Sequence, residues 1–129
     1  MHKIHCMAGQ TQIRKVLRHA AKEHAAQPIS ALIVISDACE EQEGDLVASA
    51  RALPVPVFMF QEGHSDLVAG IYGRIAEITG GAVAQFDASS AAKLGELLKA
   101  VAVFVQGGVK ALETQGGAAA RLLLAQIRK

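Results

Sequence analysis

Five carboxylates fall in two short polar stretches, Asp37, Glu40 and Glu41 in the first, Glu62 and Asp66 in the second. Such a set suits a hard divalent cation, because Mg2+ is held octahedrally by one or two carboxylates together with hydroxyls and water. The bland alternative is that these carboxylates only solvate loops and cap helices, and on the residues alone it leads. A second chemistry is nucleophilic. Cys39 stands in the first stretch and His64 in the second, which allows a small cysteine-dependent enzyme built on that pair. Glu40 and Glu41 beside Cys39 hold its thiol toward the protonated form, the wrong direction for a nucleophile. Phosphate-cradling loops are excluded in two styles, since neither GxGxxG nor GxxxxGK[ST] follows any strand-like run. No GxSxG elbow occurs either. His19 and His24 are five apart, so they do not share a helix face as a metal pair would, and His24 reads as a tolerated helix-end residue.

The element that must position Asp37 is the run Ala31-Leu32-Ile33-Val34-Ile35, which meets polarity abruptly at Ser36-Asp37. A short unbroken apolar run reads as a parallel strand covered on both faces. Ligands in open parallel sheets bind just beyond the carboxyl ends of strands. Asp37 stands at such an end. Around this strand, the pattern predicts a helix over 11–24, with Ile13, Val16, Leu17, Ala20, Ala21 and His24 on one stripe. It then predicts a helix over 45–53 capped by Asp45, a strand over 55–60 entered through Pro54-Val55-Pro56, and a helix over 65–79. In that helix Ser65 serves as cap and Leu67, Ile71, Ile75 and Ile78 form the buried stripe. Gly80-Gly81 stops it. A strand over 82–86 and a helix over 90–106 follow, then a break at Gly107-Gly108, a resumed helix over 109–113, and a terminal helix over 118–129. Residues 1–8 are irregular or a short strand. Alternating strands and helices give an α/β class with a mainly parallel sheet and helices on both faces. The whole of 1–129 is expected to be one domain.

Composition narrows the function classes. Half of the 129 residues are apolar and the net charge is +1, so neither nucleic acid nor an anionic membrane surface is the expected partner. Aromatics are only 4% and tryptophan is absent, which removes base-stacking platforms and aromatic cages. Cys6 and Cys39 form no CxxC pair and no metal spacing with the histidines, as expected of idle thiols in a reducing compartment. No signal-like segment and no spanning run of about 20 apolar residues occurs. The expectation is a cytoplasmic protein.

Several segments taken in order resemble the later part of a von Willebrand factor type A domain. They are Thr11-Gln12-Ile13 opening a helix, Ile33-Val34-Ile35-Ser36-Asp37, Pro56-Val57-Phe58-Met59-Phe60, and Ile75-Ala76-Glu77-Ile78-Thr79-Gly80-Gly81-Ala82. The resemblance runs from about residue 9 to 113. It implies a Rossmann-like three-layer α/β/α fold and a protein-binding rather than a catalytic role. That family's metal site joins an Asp-x-Ser-x-Ser loop, a helix-opening threonine and a strand-ending aspartate. Thr11 and Asp37 match the last two, with Ser36 and Glu40 as outlying candidates behind them. The first loop has no counterpart, since Asp87-Ala88-Ser89-Ser90-Ala91 departs from it and reads as a helix cap. The resemblance therefore implies a truncated domain with an incomplete Mg2+ or Mn2+ site, completed by a partner carboxylate. The truncation exposes 31–36 as a long apolar sheet edge, which invites association. Residues 3–7 can fill the vacant slot as a parallel strand, joined through the helix from Thr11 by a right-handed crossover. Otherwise a second chain or another protein pairs there. A homo-oligomer through that edge is expected. A shortened chain with no independent activity is the remaining alternative.

Overall fold

A strand that is apolar on both sides has to be covered on both sides, and the fold is the solution to that constraint. The computed structural model describes residues 4–8, 13–27, 29–36, 43–63, 65–87 and 91–127. Four strands, β1 (Ile4–Ala8), β2 (Ala31–Ser36), β3 (Val57–Glu62) and β4 (Ala82–Phe86), form an all-parallel sheet in the order β1-β2-β3-β4. Helices α1 (Ile13–Ala26), α2 (Glu43–Arg51) and α3 (Asp66–Thr79) connect them, and α4 (Ala91–Gln115) and α5 (Ala118–Ile127) follow.

Each strand is added beside the previous one, always in the same direction. Right-handed crossovers then place every connecting helix on one face. The packing agrees. Leu17 of α1, Leu46 of α2, and Tyr72 and Ile75 of α3 meet Leu32, Val34, Val57 and Met59. The alternate residues of the same strands, Ile33, Phe58, Phe60 and Ala84, meet Leu97, Val101 and Leu112 of α4 and Leu123 of α5. The result is a layered α/β/α body with two cores, one on each side of the sheet. Phe58 is wholly buried and stands edge-on to Phe104, centroids 5.9 Å apart at 70°. Burying one such side chain contributes about 1.5–3 kcal/mol.

The expected exposed edge at 31–36 does not exist. β1 pairs with β2 in parallel, Ile4 opposite Ala31 through Ala8 opposite Ile35, so β2 is an interior strand. This is the slot-filling arrangement, and it moves the outer edge of the sheet from β2 to β1. The expected homo-oligomer therefore loses the edge through which it was to form. α5 packs on its own domain, with Ala120 and Leu123 buried.

Several boundaries also differ. β3 begins at Val57, two residues late, because Pro54 and Pro56 have no N–H to give a ladder. It also ends two residues late, taking Gln61 and Glu62 into the strand. α2 starts at Glu43, which puts Asp45 inside the helix rather than at its cap. Leu67 is 77% exposed, not part of the buried stripe of α3. The rest of the expected stripe faces the core, Ile75 fully buried and Ile71 and Ile78 partly buried against it, joined by buried Tyr72 and Ala76.

The end of α3 fixes the spacing of β3 and β4. Gly80 is left-handed (φ 83°) and closes the helix, its N–H donating back to Ala76 and Glu77 carbonyls. Thr79 Oγ1 donates to the Ile75 carbonyl (2.9 Å) and accepts the first β3 N–H, that of Val57 (3.0 Å). Gly81 runs against the Val57 backbone so closely that a Cβ there would overlap the carbonyl. The expected break in α4 falls at Gly108 (φ 73°). No described helix is long and apolar enough to cross a membrane.

Candidate functional site

The carboxyl ends of β2, β3 and β4 carry one transverse polar row. Ser36 is in register with Gln61, and Gln61 with Gln85. Alternation along each strand puts all three on the α1–α3 face, the face of Val34, Met59 and Val83. Ser36 (4% exposed) and Gln61 (0%) are the buried polar residues among those described.

A buried amide has to be satisfied, and Gln61 is. Its Nε2 donates to the Ser65 carbonyl (3.1 Å), and its Oε1 accepts from Gln85 Nε2 (3.1 Å). Ser65 is the N-cap of α3, its Oγ accepting from Val68 N–H at 3.4 Å. Its carbonyl also accepts from Ala69 N–H (3.0 Å), so both lone pairs are used. Gly63 N–H donates to the Phe86 carbonyl (2.9 Å), tying the turn to the end of β4. The β3–α3 turn is thereby fastened to two strands and a helix. It presents exposed Glu62, Asp66 and Leu67 at the rim, beside the positive end of the α3 dipole.

Of the expected metal residues, Ser36 ends β2 in this row, where it is buried and not without a partner. Thr11, Asp37 and Glu40 lie outside the described residues, as do Cys39, Glu41 and His64. Among the described residues no three His, Cys, Asp or Glu side chains gather at ion-binding range. The row itself is a poor cation shell. Its charge-neutral donors are spent on one another, Gln61 Oε1 on Gln85 and the Ser65 carbonyl on two N–H groups. Cys6 lies on β1 and its thiol is pushed up by desolvation.

The sequence reading missed Gln61 and Gln85. The available signal was a glutamine at the penultimate position of each of two otherwise mainly apolar strands, Gln61 in β3 and Gln85 in β4. It also missed His24, whose Nδ1 accepts the buried Ile29 N–H at 3.1 Å and so closes the α1–β2 turn. No protein-family model, curated protein or solved structure matches this chain.

Proposed function

We propose that this chain is a non-catalytic protein-binding module resembling a von Willebrand factor type A domain, docking through the carboxyl rim of its sheet. The observation that carries the reading is Leu67. It is the exposed large apolar side chain among the described residues, and it stands in the first turn of α3, next in sequence to the exposed carboxylate Asp66 and just beyond the fastened turn. An apolar anchor with a polar surround on a rigid support is what a partner protein needs. In this reading Thr11 and Asp37 are half of a divalent-ion site, with Ser36 and Glu40 behind them. Bound Mg2+ or Mn2+ supplies positive charge that a partner carboxylate neutralises. Self-association is an additional expectation, now at the outer edge of β1 rather than at 31–36.

Calorimetric titration with Mn2+ tests the reading. Weak binding to wild type, strengthened by acetate as a stand-in for the partner carboxylate and lost in Asp37→Ala, is the expected result. Identical flat traces for wild type and variant overturn the metal half of the site.

A further inference from the structure

The far edge of the sheet is closed by a side chain. β4 is a terminal strand, and the Gly63 N–H to Phe86 carbonyl bond shows that 82, 84 and 86 turn their peptide groups toward β3. Val83, of opposite parity, turns its N–H and C=O outward. Both meet one amide. Gln126 Oε1 accepts from Val83 N–H at 2.7 Å, and Gln126 Nε2 donates to the Val83 carbonyl at 2.7 Å. A primary amide offers one donor and one acceptor side by side, as a neighbouring peptide group does. Gln126 thus stands where a fifth strand would pair.

The surroundings make this a position rather than a chance contact. α5 is held against the sheet by Ala120 and Leu123, both buried, so Gln126 is delivered to the edge by a fixed helix. Its Nε2 also reaches the Leu122 carbonyl (3.4 Å), which restrains the amide. Beside it runs a groove of about 530 Å³, lined by Gly70, Gly73, Gly81, Val83 and Gln126, with Arg74 and Glu77 also lining it. Small residues leave space for an extended chain there. β4 itself reads Ala-Val-Ala-Gln-Phe, without the lysine or proline that commonly blunts an edge.

We propose that Gln126 is a built-in plug for the β4 edge, its amide taking the place of a fifth strand and preventing a second copy of this chain from extending the sheet. The occupant excluded is a second β4, because an apolar, uncharged edge whose outward N–H and C=O at Val83 are met by Gln126 is self-complementary there once that amide is gone.

Gln126→Ala and Gln126→Met remove the amide, the second keeping most of the volume. In both, hydrogen exchange at the Val83 amide quickens by about tenfold, the loss of one hydrogen bond's protection. Sedimentation velocity shows more self-association than wild type at equal concentration. Adding Val83→Pro, which removes the outward N–H at a position where an edge strand accepts proline, returns the sedimentation to that of wild type. Leu46→Ala weakens the opposite core and serves as the control for destabilisation. Unchanged Val83 exchange overturns the proposal. So does association that survives Val83→Pro, or association that Leu46→Ala produces equally.

Discussion

Gln85 donates from Nε2 to Gln61 Oε1 at 3.1 Å, and that bond joins β4 to β3 at the carboxyl rim of the sheet. It matters because Gln61 is fully buried and has one other partner, the carbonyl of the residue that caps α3. The two glutamines therefore hold a strand end, a turn and a helix start in one arrangement.

Replacing Gln61 by Ala takes the acceptor from the Gln85 amide and one of the two donors from the Ser65 carbonyl, and opens a cavity. The expected loss is about 2–4 kcal/mol, from lost hydrogen bonds and volume together. Denaturant unfolding measures it. In a double-mutant cycle with Gln85→Met, Gln61→Met shows a coupling of about 0.5–1.5 kcal/mol. A coupling of zero means that the two amides act independently.

Gly81 and Gly95 respond oppositely to alanine. At 81 the new Cβ strikes the Val57 backbone, which cannot move without parting β3 from α3. The loss exceeds about 3 kcal/mol, in the range of severe overpacking. At 95, an exposed helical position with open space, alanine gains about 0.5–1 kcal/mol through helix propensity. Thermal melts of the two variants should move in opposite directions.

His24→Ala leaves the Ile29 N–H buried without its acceptor. The expected loss is about 1–2 kcal/mol, the cost of an orphaned donor. A stability within error of wild type would show that water replaces the imidazole.

Leu67→Asp changes stability by less than about 0.5 kcal/mol, as befits a side chain 77% exposed. Leu123→Ala, in the core under α5, costs about 2–5 kcal/mol. A large effect of Leu67→Asp on folding would mean that the rim position is structural and not a docking anchor.

Cys6 alkylates with iodoacetamide more slowly at neutral pH than a free cysteine. Desolvation raises its thiol, so the reactive thiolate is depleted there and recovers only as pH rises. Peptide mapping separates it from Cys39, for which a fast rate at neutral pH would favour a cysteine-dependent enzyme.

Much of the architecture was legible because it follows from unbroken apolar runs. Ala31 to Ile35 has no polar alternation, so it had to be covered on both faces, and Thr79-Gly80-Gly81 had to end a helix. The vacant slot beside β2 was legible too, but not which repair filled it, since Ile4 to Ala8 is too short to declare itself a strand without β2 beside it. Leu67 misled because the apolar period of α3 extends one turn beyond the surface that α3 covers. The polar row was not legible because a glutamine in a strand says nothing of its partner. Gln61 and Gln85 are 24 residues apart, and only the register of β3 and β4 brings them together.

Mn2+ is paramagnetic, so it broadens the resonances of amides near wherever it binds, and this tests the metal-bearing rim most directly. At low Mn2+, the amides of Ser36, Gln61 and Gln85 in the wild-type chain should broaden while those of the opposite strand ends, Ala31, Val57 and Ala82, stay sharp, and Asp37→Ala should abolish the difference. Uniform broadening, or broadening of Ser36, Gln61 and Gln85 that persists in Asp37→Ala, would contradict a divalent-ion site at the carboxyl end of this sheet.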